Sequence, residues 1–422
     1  DGSFAEHSLN YHRLMMDELV WMTRLAEING DAISDIIPDQ LACATRWLSE
    51  MVDPDSGRVP NYGANDGALL LPLSACDRTD FRPTLQAAHY LLHRERCLAP
   101  GSWDEMMLWL FGAKALAADL RSVPRAASFA APRGGYYVLR SKQSWMMTRC
   151  HTYRNRPCQA DMLHVDLWHL GRNILRDAGT YKYYCEAPWQ HYFLSTAAHN
   201  TVSVDQRDQM IKGPRFLWFK WAHARLRYFF TSRDKRMGYF EGEHSGYSHL
   251  PGRVFHRRAI CRLGDTYLIV DDVLGAGLHE VVARWRLIDS GWQADSQLWR
   301  SSTGGINITI GVFAPDLQSD EDSGAATQID GAESLYYGDL RTATVLERSV
   351  EKPLPVRIIT VIHLGLPGSI SSTSEHVHIT SSGEARVFFF LNSPGDNFAP
   401  ICFEVSQGDK KWCIDSGHNF AI

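Results

Sequence analysis

The first 122 residues read as helical, because apolar positions recur at helical spacing. Leu9, Leu14, Leu19, Met22 and the run Leu25–Ile28 predict a first helix. A second is expected over 39–52, with Asp39 as N-cap ahead of Leu41, Ala44, Trp47, Leu48 and Met51. Arg82–Arg96 and Trp103–Leu120 read as two more, the last capped by Ser102. Between them, residues 59–83 (VPNYGANDGALLLPLSACDRTDFRP) are rich in Gly, Asn, Asp and Pro, a long connection of the kind that carries function.

Near residues 122–135 the pattern becomes strand-like: YYVLR (136–140), SWMMTR (144–149), NTVSVD (200–205), TYLIVDDV (266–273), VVARWRLI (281–288), INITIGVF (306–313), VRIITVIHL (356–364) and ARVFFFLN (385–392). Such β-branched and aromatic runs, divided by Gly, Asp and Ser clusters, predict large antiparallel sheets. Residues 319–328 read as an exposed loop. The expected organisation is α+β and multidomain, helical over 1–122 and an antiparallel β-sandwich over 123–422.

Composition narrows the partners. The 422 residues carry 43 basic and 48 acidic side chains, a net charge of −5, which argues against a nucleic-acid binder. No apolar run approaches the roughly 20 residues of a membrane-spanning helix. Nine cysteines without a CxxC pair speak against a zinc ribbon or redox motif, and their odd number leaves at least one free thiol. The chain opens on Asp with no leader pattern and reads as starting inside a longer protein or after processing. Aromatic residues, 13 Trp, 16 Tyr and 18 Phe, suit stacking on sugar rings and a large sheet core equally.

Three stretches concentrate chemistry. In SLNYHR (8–13) helical spacing places Glu6, Asn10 and Arg13 on one face, either a polar surface edge or a face turned into a cavity. In NYGANDGA (61–68) turn chemistry accounts for Asn65 and Asp66 and leaves Tyr62 unexplained. The stretch 149–184 packs His151, Arg154, Arg156, Gln159, Asp161, His164, Asp166 and Asp177 together. Strand alternation there sets Gln159, Asp161 and Leu163 opposite His164, Asp166 and Trp168. GAGLHE (275–280) lacks a phosphate-loop lysine, and neither GxSxG nor HExxH occurs.

EHSLNYHR, PNYGANDGALLLPL…DFRP, RPCQADMLHVDLWHLGRNILRDAGTY, PW…STAAHNTVSVD…DQM and HRRAICRLGDTYLIVDDVLGAGLH occur in this order. Together they resemble the heparinase II/III-like polysaccharide lyases, in particular the bacterial branch associated with exopolysaccharide and capsule. The resemblance is most specific over 156–205 and weakens after about residue 295. It implies a partial (α/α) toroid followed by an antiparallel β-sandwich, and β-elimination on a uronic-acid-containing glycan, in the periplasm or outside the cell.

By that resemblance Asn10 neutralises the substrate carboxylate and Tyr62 serves as acid or base. The histidine that relatives carry in the sandwich falls on Pro157 here, leaving His164 or His151 to supply an imidazole. Where relatives with zinc carry His–Asp–His, this chain has Gln159, Asp177 and His199. A neutral Gln oxygen suits calcium better than zinc, so one structural divalent ion of either kind is expected; a metal-free hydrogen-bonded network is the alternative. Arg13, Arg154, Arg156 and Asn65 are candidate substrate ligands, two arginines being able to clamp a carboxylate bidentately. Trp168, like Trp189 and Trp218, suits sugar stacking or core packing.

Two other functions compete. One is a non-catalytic glycan-binding or exopolysaccharide-assembly protein on the same fold, favoured by Pro157 and the altered triad. The other is a glycoside hydrolase, which needs two opposed carboxylic acids, for which only Glu6 and Asp66 offer themselves. The expected partner is an acidic polysaccharide, with no nucleic acid and no membrane span. The glycan, the mode of cleavage and the oligomeric state, a homodimer among the options, are not legible.

Overall fold

The computed structural model describes residues 1–422 except 123, 296, 316–325, 366, 382–383, 396–399 and 415–422. The loop expected over 319–328 therefore lies outside the described residues up to 325. Most of the chain is antiparallel sheet, preceded by four α-helices.

Helix α1 (Leu9–Asn29) starts where the Ser8 hydroxyl accepts the Tyr11 N–H at 3.1 Å, and it stops at Gly30 in the left-handed region. Glu6 precedes this helix, so it does not share the Asn10–Arg13 face as the spacing suggested. Helix α2 (Ile36–Met51) begins before Asp39, which sits in its first turn instead of at the cap, where its charge still favours the N-terminal dipole. Helix α3 spans Arg82–His93, with Pro83 in its first turn. Helix α4 is shorter than expected, Asp104–Phe111, because Gly112 at φ 78° breaks it before a 3-10 turn over Ala113–Ala117. The helices close over a core that includes Met16, Val20, Leu41, Leu48, Leu85 and Met106.

A nine-stranded sheet follows. It runs as a meander through β1 (Ser128–Ala131), β2 (Tyr136–Arg140), β3 (Ser144–Arg149), β4 (Val165–His169) and β5 (Arg172–Leu175), then into later strands beginning with Leu278–Leu287. Strand β6 (Val202–Val204) joins beside Leu278–Leu287. The alternation expected from Gln159 onward fails, since residues 150–164 are irregular and the strand begins at Val165.

An eight-stranded sheet, centred on Phe255–Leu263, Thr266–Leu274 and Val356–His363, packs between the first sheet and a five-stranded C-terminal one. This explains why the strand Thr266–Leu274 is apolar on both faces over Tyr267–Val270, ahead of the buried Asp271 and Asp272. Tyr267, Ile269 and Val273 face the core shared with the first sheet, while Leu268 and Val270 face the C-terminal sheet. All nine cysteines are free thiols.

Helices and first sheet meet through Leu9, Trp47, Met51 and Tyr62, packed on Tyr136, Val138, Trp145 and Trp168. No helix among the described residues is long and apolar enough to cross a membrane.

Candidate functional site

At this joint lies a cavity of about 400 Å³ lined by Asn10, Arg13, Tyr62, Asn65 and Trp168, together with Arg78, Arg172, Arg176 and Arg341. The loop carrying Tyr62 is clamped to the start of α1. Leu9 N–H donates to Tyr62 O at 3.2 Å, and the Ser8 hydroxyl donates to Ala64 O. Only glycine fits at position 63: φ is 84°, and a Cβ there would lie 2.1 Å from His7 O.

Arg13 Nη2 donates to Asn10 Oδ1 at 3.1 Å, and Nη1 donates to Arg78 O at 2.7 Å. The Asn10 amide nitrogen has no partner although it is buried. Two N–H bonds are thus unengaged on a residue that lines the cavity. Asn65 is less free, because its Oδ1 accepts the Gly67 N–H at 2.8 Å, as turn chemistry anticipates. Trp168 is buried, stacks on Trp145 at 5.5 Å between ring centres and donates to Asp166, so it is a packing residue at the cavity floor.

Tyr62 sits against a fully buried guanidinium. Arg149 lies 4.6 Å from the Tyr62 ring centre and 4.6 Å from that of Tyr136. Burial pushes the Tyr62 phenol well above its ordinary range, and the Arg149 charge acts in the opposite direction. Arg149 Nη1 lies 3.4 Å from His7 Nδ1, so that nitrogen accepts and the His7 proton sits on Nε2. Burial first, then Arg149, lowers His7 to about 2, and the ring stays neutral. His7 and Arg149 are the residues that sequence reasoning passed over. Both stand inside the quoted motifs, but only the fold shows that they back Tyr62.

Of the two histidine candidates, neither is among the residues lining the cavity. His151 packs on His7, ring centres 4.6 Å apart, and burial lowers it to about 4. His164 lies behind Tyr62, 6.3 Å between ring centres, and belongs to a buried cluster with Asp177 and His199 whose potential ligand atoms all lie within 4.8 Å of one another. His199 Nδ1 is 2.8 Å and His164 Nε2 3.5 Å from Asp177 Oδ2. Burial works against both charges of the His199–Asp177 pair, yet mutual attraction prevails: His199 is raised and Asp177 lowered.

The cluster differs from the expected triad by one member. Gln159 donates from Nε2 to Gly179 O and Phe193 O, each at 3.2 Å, and its buried Oε1 has no partner. His164 takes its place near Asp177, but its Nδ1 accepts the Asn200 N–H at 3.0 Å. A neutral ring so bound carries its proton on Nε2, where a metal would have to sit. Gln159 Oε1 and His199 Nε2 are buried without partners, while the three residues whose ligand atoms converge, and which could hold one divalent ion, are His164, Asp177 and His199.

Arg156 is exposed and lines a different cavity, and Arg154 is exposed and lines neither. Glu6 is also in the second cavity and Asp66 is in neither, so the two carboxylates do not face each other across the first cavity.

Several solved structures share the fold. A heparinase III, the BT4657 gene product, is similar with a TM-score of 0.71 and 17% identity over 97% of this chain and 58% of that one. The heparan sulfate lyase HepC from Pedobacter heparinus gives 0.69 and 16% over 100% and 60%. The chondroitin AC lyase of Streptomyces coelicolor A3 gives 0.50 and 12% over 93% and 58%. In each case this chain spans less than two thirds of the other protein. A search among curated proteins finds no match. The Heparinase II/III-like, C-terminal profile matches residues 123–353. With more than half its length matched, the chain belongs to that family.

Proposed function

We propose that the chain is part of a polysaccharide lyase that cleaves a uronic-acid-containing glycan by β-elimination, its helices being the end of an (α/α) toroid. The observation that carries this reading is the unpartnered amide of Asn10, a residue that lines one cavity together with Tyr62 and several arginines. The C5 proton of a uronate is weakly acidic, because its loss places a second negative charge beside the carboxylate. The Asn10 amide, fixed by Arg13, holds that carboxylate as the charge develops. Tyr62, as phenolate beside Arg149, takes the C5 proton. The phenol so formed returns it to the leaving oxygen as the C4–O bond breaks and C4=C5 forms. One side chain then serves both steps, and no proton is gained or lost overall.

A divalent ion, calcium or zinc, would be held by His164, Asp177 and His199, where it would neutralise the buried carboxylate and fix the wall behind Tyr62.

Incubating the protein with a panel of uronate polymers tests the reading. Ultraviolet absorbance of an unsaturated uronate should rise, and silence across the panel with folded protein would overturn it. Pro157 and the lack of an imidazole on the cavity wall favour a second reading, a glycan-binding protein without turnover. Tyr62→Phe separates the two, since a binder keeps its affinity while a lyase loses its product signal.

A further inference from the structure

Beside the first cavity lies a larger one of about 990 Å³, near the upper end of the roughly 300–1,000 Å³ usual for enclosed ligand sites. The partition is one loop thick. Ala64 lines the second cavity while Gly63 and Asn65 line the first. Thr180 ties the partition down, donating to Gly63 O at 3.0 Å and accepting the Asn65 N–H at 3.1 Å. Beside it the hydroxyls of Tyr11 and Tyr183 meet at 2.6 Å.

The lining of this cavity has two properties. It is cationic in an acidic protein: Arg156, Lys182, Lys212 and Arg215 stand against Glu6 and Glu18, where the whole chain carries −5. It is also aromatic. Phe216 meets Tyr183 edge to face at 5.5 Å, Arg156 lies 5.1 Å from the Phe216 ring centre, and Lys212 lies 5.5 Å from that of Trp218. Rings that offer an apolar face, interleaved with cations, match a pyranose with anionic substituents: C–H faces pack on the rings while carboxylate or sulfate meets the charges. Four cations interleaved with rings suit a chain bearing repeated anionic substituents better than the single charged end of a fatty acid.

We propose that this second cavity is a subsite for anionic sugar residues, carboxylated or sulfated, with Arg156, Lys182 and Arg215 as the anion-binding groups. It would take a part of the glycan outside the residue held by Asn10 and Tyr62. The identity of the ligand as an acidic glycan rests on the lyase reading; the site itself rests on its lining. Arg156 thereby acquires a place that the first cavity denies it.

Affinity tests this without turnover. In a Tyr62→Phe background, so that no probe is consumed, Lys182→Ala/Arg215→Ala is compared with its parent by calorimetry. Three hexasaccharides are used: uronate only, uronate with sulfate, and a carboxyl-reduced unsulfated form. Both lysine and arginine are exposed, and circular dichroism checks the fold. The double variant should bind at least one charged probe roughly tenfold more weakly at low salt, with a shallower salt dependence, and the neutral probe equally. Loss with the sulfated probe alone assigns sulfate, and loss with both assigns carboxylate. Unchanged affinity for both charged probes, or equal loss with the neutral one, overturns the proposal. If the wild-type chain cleaves nothing, the lyase reading fails while the affinity comparison still decides the subsite.

Discussion

Arg13 donates from Nη2 to Asn10 Oδ1 at 3.1 Å, and this bond engages the amide oxygen while leaving the amide nitrogen without a partner. With its oxygen engaged, Asn10 presents N–H and not a lone pair. It is oriented to receive a carboxylate and to repel a cation. Asn10→Asp keeps an acceptor for Arg13 but replaces the donor by negative charge. Activity on a uronate polymer should fall at least ~10²-fold, on the scale of losing one oxyanion donor. The melting temperature should stay close to that of the parent, because the Arg13 contact survives. A variant that retains full kcat/KM would remove Asn10 from the mechanism.

The Tyr62–Arg149 contact gives the reaction a pH signature. Burial keeps Tyr62 protonated well above the usual phenol range, with Arg149 partly offsetting it. If the phenolate is the base, its fraction grows tenfold per pH unit below that pKa. Log kcat/KM should therefore rise with unit slope through the alkaline range in which the protein stays folded. Tyr62→Phe should lose ~10²–10⁴-fold or more and flatten the slope. A profile already flat in the parent would assign the proton transfer elsewhere.

Much of this was legible in the sequence, for reasons that can be named. Thr266–Leu274 and Val356–His363 announce themselves because strands buried on both faces carry apolar runs, interrupted here by the buried Asp271, Asp272, Arg357 and Thr360. Helix ends were harder. Asp39 looked like a cap, yet α2 starts earlier, and Gly112 stops α4 where apolar residues alone would continue it. Asn10 and Tyr62 came from motif resemblance, and the structure sets both on one cavity. Arg149 and His7 were hidden because their significance is a mutual contact behind Tyr62 across 142 residues of chain, which spacing does not encode. His164 stands buried beside Asp177 and His199, its Nδ1 held by the Asn200 N–H, a contact that no side-chain pattern predicts.

Acid sensitivity follows from buried neutral imidazoles. Burial lowers His7 to about 2 and His12 to about 4. In the unfolded chain each takes up a proton as pH falls through ~6.5. Below that value the unfolded state binds more protons, so stability rises with pH and falls on acidification. Each histidine contributes ~1.4 kcal/mol per pH unit, the His12 share ending once its folded pKa is reached. Urea midpoints should decline from pH 6.5 to 5, and His12→Gln should make the decline shallower by about one proton. A midpoint independent of pH over that span would contradict the burial of both rings.

The Asp177–His199 pair predicts a response to metal. A cation held there with His164 should raise the melting temperature as its concentration exceeds Kd, by mass action on the folded state. Titrating calcium and zinc separately against a chelated sample, with His199→Ala as control, reads this without any substrate. A shift with one ion that vanishes in His199→Ala identifies the ion. No shift with either leaves the trio as a metal-free hydrogen-bonded strut.

Arg258 supports the site from beneath. It pairs bidentately with Asp271 at 2.7 and 2.9 Å, and its Nη1 donates to Leu163 O and Asn200 O at 2.6 and 2.7 Å. Those two carbonyls belong to the segments that carry His164 and His199. Arg258→Met would leave Asp271 buried with only His256, 2.7 Å away, as partner, and would orphan both carbonyls. The expected cost is ~3–5 kcal/mol, read as a lower denaturant midpoint at constant m-value. Adding Asp271→Leu should recover part of this by removing the unpaired charge. It should not recover all of it, because the Leu163 and Asn200 carbonyls stay unpaired and His256 Nε2 now loses its own partner. Full recovery would mean that Arg258 only neutralises Asp271 and does not hold the site segments.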